Sequence, residues 1–217
     1  RQISMKKIVL FGAGGFARET AYLIERINNV RAAYELLGFI VDDDYYRDGL
    51  EINGYPVLGT RQWLIAHKNE VVCTCAIGEP GPREAIQEEL EQKGIQFETL
   101  ISPDVELHST VKVGAGSVIA HGVMMTVNIK IGKGVVINGC TTLGHDAEVG
   151  DYACVMGGCG LAGYVKIGRR VKIGGHAFIV PHITVEDDAV IAAGSAVFAK
   201  VRRERRVLGN PARRFEL

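Results

Sequence analysis

From Ile101 onward the chain repeats every six residues: Ile, Leu, Val or Met stands at 101, 107, 113, 119, 125, 131, 137, 143, 149, 155, 161, 167, 173, 179, 185, 191 and 197, without an insertion. Four residues after each stands Val, Ile, Ala, Ser, Thr or Cys, never anything larger. A helical period of 3.6 cannot produce this, and the alternation of a flat sheet would not skip the other positions so consistently. One bulky and one small inward position per hexad is what a narrow solenoid accommodates, each turn burying its faces only against its neighbours. Glycine follows the aliphatic residue at 114, 132, 144, 150, 168 and 174, and glycines between the inward positions are expected to permit φ > 0 turns at the corners.

The first hundred residues have a different period. "KIVLFG" reads as a buried strand, "ARETAYLIERI" as a helix, "LLGFIVDD" as a strand, "TRQWLIAHK" as a helix, "VVCTCAIG" as a strand and "GPREAIQEELEQKG" as a capped helix. This alternation predicts an open α/β sheet of the nucleotide-binding type over 5–100, ahead of the solenoid over 101–217. "RQIS" precedes Met5, the first plausible start, and is set aside from the fold.

In "FGAGGFARE" the spacing G-x-G-x-x-A (Gly12, Gly14, Ala17) follows a strand and opens a helix. Such small residues allow a tight turn, close approach of a phosphate to backbone, and close packing of helix on strand. The helix N-terminus adds unpaired N–H groups and a positive dipole end. Gly12, Gly14 and Gly15 are therefore candidates for binding a nucleotide, with Asp42 and Asp43 at the end of the next strand to accept hydrogen bonds from ribose or base. A structural strand–helix turn would carry the same motif. A dinucleotide fold needs two such halves and only one fits before Ile101, so a single nucleotide is favoured over NAD.

Charge and cysteine content narrow the class further. Lys and Arg total 25 and so do Asp and Glu, which gives no electrostatic reason to expect nucleic acid; the one basic cluster, "KVRRERR" at 200–206, reads as a solvated face or a local phosphate contact. No apolar run reaches membrane-spanning length, and a cytoplasmic location is the expectation. The five cysteines (73, 75, 140, 154, 159) form neither a disulfide framework nor, with the histidines, pairs at zinc-ligand spacing, so reduced thiols and no metal are expected.

One histidine is out of place for a core residue. In hexad register His145 is at position three and Asp146 at position four, so neither is inward, and His145 is predicted to project from the coil. Gly163, eighteen residues on, offers a backbone N–H unshielded by a side chain. A projecting histidine with a neighbouring carboxylate suits proton transfer, since an imidazole titrates near neutrality and an acidic partner orients it. Backbone N–H donors suit an oxyanion. The other histidines (67, 108, 121, 176, 182) and Cys140 and Cys159 read as structural or solvated, and Met124-Met125 as subunit packing.

The hexad pattern closely resembles that of the hexapeptide acyltransferases. The resemblance implies a left-handed parallel β-helix of nearly six coils, assembled as a homotrimer, with acetyl-CoA in the groove between neighbours. More specifically, "IGKGVVINGCTTLGHDAEVGDYACVMGGCGLAGYVKIG", with "GFIVDDD", "PVLGT", "AIG" followed by Arg83, "LISPDVELHSTVKVGAG" and "GNPAR", resembles the sialic acid O-acetyltransferase family, which also holds bacterial N-acetyltransferases of nucleotide-linked amino-sugars. The resemblance implies His145 as general base, Asp146 as its partner, Gly163 at the acetyl carbonyl and Asn138 at the active site. It also implies that an N-terminal Rossmann-like domain receives the sugar nucleotide. Two positions depart from it. Many relatives carry a second histidine where Cys154 stands, so a contact to the acetyl donor or substrate is altered; many carry His where this chain has Phe16. The expectation is an acetyl-CoA-dependent N-acetyltransferase acting on the amine of a nucleotide-linked 4-amino-4,6-dideoxyhexose. A sugar O-acetyltransferase of the sialic acid type and a non-catalytic sugar-nucleotide-binding scaffold are the alternatives.

Overall fold

The computed structural model describes residues 5–215, so the four residues set aside at the start lie outside the described residues. The chain divides into two compact units at the boundary between Leu100 and Ile101.

The first unit contains β1 (Lys6–Phe11), α1 (Gly15–Val30), β2 (Tyr34–Ile40), a 3₁₀ turn (Asp43–Tyr45), β3 (Glu51–Ile52), β4 (Tyr55–Gly59), α2 (Arg61–Ala66), β5 (Val72–Cys75) and α3 (Pro80–Gln92). Its sheet has the order β3-β4-β2-β1-β5, parallel throughout except for β3 against β4. β1 lies between two strands and is covered on both faces, which is why Ile8, Val9, Leu10 and Phe11 form a continuous apolar run without alternation. α1 buries Ala17, Thr20, Ala21, Leu23 and Ile24, one face at helical spacing.

Two features differ from the sequence expectation. α3 has no side-chain cap; it starts at a proline, whose missing N–H costs nothing in a first turn. The β3–β4 hairpin was not anticipated. Its signal is Asn53-Gly54, both left-handed at φ 50° and 82°, the dipeptide that a two-residue hairpin turn requires.

In the second unit the hexads form a left-handed parallel β-helix. Two-residue strands stack into three faces. The first face has five strands, from Lys112–Val113 to Thr184–Val185, and the third also has five, from Met124–Met125 to Ala196–Val197. The second has eight, from Leu100–Ile101 to Val190–Ile191, then Arg206–Leu208 and an antiparallel Arg213–Arg214. The register is eighteen residues per coil, as in Leu143 beside Leu161, and each coil donates to the next through bonds such as Gly144 N–H to the Leu161 carbonyl at 2.7 Å. The predicted inward positions form one core, with bulky Leu143 and small Ala147 both buried.

Leu107 breaks the repeat: it belongs to no strand and is 42% exposed, because no earlier coil lies beneath it on the third face. At the other end the last coil is two residues shorter, with Val201 bridged to Val185. The basic cluster there is partly paired, Lys200 with Glu186 and Arg203 with Asp187.

The turn role expected for the glycines between the inward positions holds for some of them only. Those after the aliphatic residue are not left-handed. They are small because the next coil passes directly over them: a Cβ on Gly174 would lie 2.4 Å from Ala193 N, and one on Gly144 2.7 Å from Gly163 N. The left-handed turn falls two residues later, on Gly116, Gly122, Gly134, Gly158 and Gly194 and equally on Asn128, Cys140, Asp146, Tyr152, Tyr164, Arg170, His176, His182 and Asp188, with φ between 56° and 74°. A non-glycine residue there costs about 1–2 kcal/mol. The ladder bonds and close packing of adjacent coils hold it in place.

Candidate functional site

Each unit has its own candidate site. In the first, a cavity of about 490 Å³ opens at the end of β1, lined by Phe11, Gly12, Gly14, Asp42, Tyr45 and Ile77 among others. Gly12 is fixed by the chain itself: its φ is +118°, and a Cβ would stand 2.9 Å from the Ala76 carbonyl oxygen. Gly14, before the first turn of α1, has nothing within 4 Å of a would-be Cβ, so the helix N-terminus is open on that side. Arg83, fully buried in α3, donates to the carbonyls of Ile77 and Gly78 at 2.8 and 2.7 Å and so anchors the loop that carries Ile77.

Asp42 lines the cavity, but it already has a partner in the chain. Its Oδ1 accepts from Arg61 Nε at 2.7 Å, and this hydrogen bond, the largest influence on Arg61, raises the guanidinium's pKa. Arg61 also pairs with Glu89 and lies 5.5 Å from the centre of the Phe11 ring. Asp43 is exposed in the 3₁₀ turn; neither it nor Gly15 nor Phe16 is part of the lining. The structure thus brings together Gly12, Gly14 and Asp42 and leaves Gly15 and Asp43 outside. Tyr45 and Leu50 complete the wall, and the sequence analysis did not single them out.

In the second unit His145 follows the third-face strand Thr142–Leu143, at the corner before the first-face strand Glu148–Val149. Its side chain is 55% exposed, so it projects from the prism. Nδ1 lies 2.9 Å from Asp146 Oδ2. Adjacent residues can meet in this way because Asp146 is left-handed, at φ 59°, and the chain turns there. Gly163 is on the adjoining coil, where the Tyr164 N–H donates to the His145 carbonyl at 3.0 Å. A Cβ on Gly163 would lie 2.8 Å from both Cε1 and Nε2 of His145, so the far edge of the imidazole rests on the space this glycine leaves empty. The Gly163 N–H makes no hydrogen bond within the described residues.

Three neighbours on this corner were not singled out from the sequence. Asn128 Nδ2 donates to Asp146 Oδ1 at 3.3 Å, Tyr164 meets His145 edge to face with ring centres 5.1 Å apart, and His182 stacks on Tyr164 at 4.8 Å. Steps of eighteen residues from Asp146 reach all three, so the register could have found them.

Asn138 and Cys154 are elsewhere. Asn138 follows the second-face strand Val136–Ile137 with its Nδ2 3.5 Å from Met156 Sδ, and Cys154 is buried in the second-face strand Cys154–Val155. One chain therefore assembles His145, Asp146 and Gly163 at one corner but carries Asn138 and Cys154 on a different face.

Comparison with known proteins bears on both units. Residues 7–90 match the family model of the PglD N-terminal domain. The GDP-perosamine N-acetyltransferase of Escherichia coli O157:H7 is 28% identical over 170 residues, 78% of this chain and 76% of that protein. The acetyltransferase domain of PglB from Neisseria gonorrhoeae FA1090 in complex with acetyl coenzyme A is 26% identical, with a TM-score of 0.82 over 98% of this chain and 100% of that one. PerB from Caulobacter crescentus, solved with CoA and GDP-perosamine, shares the fold at a TM-score of 0.86 over 98% of this chain and 99% of that one, with 23% identity. The likeness runs through the strand–loop–helix of the first unit and on through the coils that carry the projecting histidine, so that in sequence and in fold the chain is similar to nucleotide-amino-sugar N-acetyltransferases over nearly its whole length.

Proposed function

We propose that this protein transfers an acetyl group from acetyl-CoA to the amine of a nucleotide-linked 4-amino-4,6-dideoxyhexose. The observation that carries the proposal is the His145 imidazole, projecting from the β-helix with Nδ1 tied to Asp146 and its Nε2 edge over Gly163. With the Nδ1 proton hydrogen-bonded to Asp146, Nε2 keeps its lone pair and accepts a proton from the attacking amine. The amine nitrogen attacks the thioester carbonyl carbon. As the C–N bond forms, carbonyl electrons move onto oxygen, where the Gly163 N–H supplies a hydrogen bond. Collapse of the tetrahedral species breaks the C–S bond, and the proton on Nε2 passes to the departing thiolate. Asp146 stabilises the imidazolium meanwhile. No group on the enzyme is acylated; alignment of two bound substrates is sufficient.

The nucleotide of the acceptor is assigned to the cavity at Gly12 and Gly14, with Asp42 as the acceptor for ribose or base hydroxyl and amino groups. Asn138 and Cys154 are assigned to the acetyl donor. Because they do not share a face with His145, a site containing all of them takes more than one copy, and we read the protein as a homotrimer. Met124 at 63% exposure and half-exposed Phe178, both on the third face beside His145's corner, support subunit packing there. Among the described residues no helix is long and apolar enough to cross a membrane; the reading carries with it a cytoplasmic location.

The test is mass-spectrometric turnover of a panel of nucleotide-linked amino-sugars with acetyl-CoA, by the wild type and His145→Ala. Acetylation of the amine, reduced about 10²–10⁴-fold in the variant, is expected. Acetylation of free sialic acid with none of the amines would replace the reading by O-acetyl transfer, and undetectable acetyl-CoA binding would replace it by a scaffold.

A further inference from the structure

Both carboxylate oxygens of Asp146 are engaged. Oδ2 holds His145 Nδ1, and Oδ1 accepts from Asn128 Nδ2, on the coil before it. Asn128 is itself anchored one coil further back, its N–H donating to Thr110 Oγ1 at 2.8 Å. Thr110, Asn128 and Asp146 thus form a line along one edge of the β-helix, one residue per coil, that ends on the imidazole.

The backbone alone does not ask for asparagine at this position. Asn128 is left-handed at φ 58°, and at equivalent corners that requirement is met by Gly116, Gly122, Gly134, Gly158 and Gly194. What asparagine adds is a donor without charge. An arginine or lysine there would neutralise the carboxylate and weaken its hold on an imidazolium, whereas an amide N–H fixes the carboxylate plane and leaves its charge for His145. That plane needs fixing, because the terminal torsion of an aspartate is broad and an exposed carboxylate bonded through one oxygen swings freely.

We propose that Asn128 is a positioning residue for the His145–Asp146 dyad: it locks the carboxylate plane, and through that the imidazole tautomer with the proton on Nδ1. The inference rests on His145 as the general base. Asn128 touches no substrate; it acts through Asp146.

Two variants test it. Asn128→Gly keeps the left-handed backbone and removes the donor, and Asn128→Asp replaces the donor by a like charge facing Asp146. Both are expected to keep the wild-type melting temperature and the KM of both substrates within about twofold while kcat falls about tenfold, more in Asn128→Asp, as for a reacting group displaced by a fraction of an ångström. The second readout needs no turnover. Imidazole ¹⁵N shifts of labelled protein, with His145 assigned through His145→Asn, are expected to report the Nδ1–H tautomer in the wild type and a mixture in Asn128→Gly. A wild-type kcat together with an unchanged tautomer in Asn128→Gly overturns the proposal. Loss of the tautomer preference in a protein that acetylates no amino-sugar upholds the positioning role and removes the reading of His145 instead.

Discussion

Replacing Gly163 by alanine is the sharpest probe of the corner. The added Cβ would stand 2.8 Å from Cε1 and Nε2 of His145, and the ring must retreat by about 0.6 Å to restore an ordinary contact of 3.4 Å. That retreat disturbs the contacts that place the ring. Nδ1 is held by Asp146 at 2.9 Å, and Tyr164 meets the ring edge to face. Gly163 itself has no left-handed φ, so alanine brings no backbone strain of its own. The expected variant is folded and slow. A misplacement approaching 1 Å costs about 10²-fold in rate, or about 2.7 kcal/mol at 1.36 kcal/mol per tenfold. Initial rates of acetylation with both substrates saturating give kcat, and thermal melts report the fold. A kcat within twofold of wild type would refute the argument that the imidazole depends on this glycine. So would a loss of rate matched by an equal loss of stability.

Other outcomes follow from the same structure. Gly174→Ala, whose Cβ would be 2.4 Å from the Ala193 nitrogen, is expected to lower stability by about 1–3 kcal/mol through overpacking of adjacent coils, read as a lower denaturant midpoint; no change would contradict the close-approach role of the repeat glycines. The hydrogen bond from Arg170 lowers the pKa of Asp188, so this pair contributes stability in full above the ordinary carboxylate value of about 3.9 and loses it as pH falls through the depressed value. Asp188→Asn is therefore expected to flatten the fall of melting temperature below about pH 4; an unchanged slope would sink this. Cys140 is exposed while the other four thiols are buried, and burial pushes Cys75 up to about 12 and raises Cys73 and Cys159 as well. Alkylation of the native protein near pH 8 should modify Cys140 first, located by peptide mass spectrometry, and comparable labelling of Cys75 would show that its strand is not closed.

Much of the fold was legible because its repeats are local. An aliphatic residue every six positions has only one kind of interior to occupy, and the buried run from Ile8 to Phe11 has only one kind of sheet. What escaped the sequence reading needed knowledge of a neighbour. Leu107 obeys the hexad pattern and is still exposed, since a pattern does not say whether a coil lies beneath it. Glycines were assigned to the turn, and Gly116, Gly122, Gly134, Gly158 and Gly194 do make it, but so do residues such as Tyr152 and Arg170 whose chemistry gives no hint of φ > 0. Asp42 was visible as an acceptor, but Arg61, nineteen residues later, takes one of its oxygens.

The sequence by itself determined the inward positions and the projection of His145 away from the core, because these follow from periodicity and residue size; the eighteen-residue coil was implied only by the family resemblance, and the strand register bears it out. Only the tertiary structure decided that His145 Nδ1 meets Asp146, that its far edge rests over Gly163, that Asn128 reaches the free side of the carboxylate, and that Asn138 and Cys154 belong to another face. Those relations depend on side-chain rotamers and on which corner a residue turns, and both are set by contacts between coils a full eighteen residues apart.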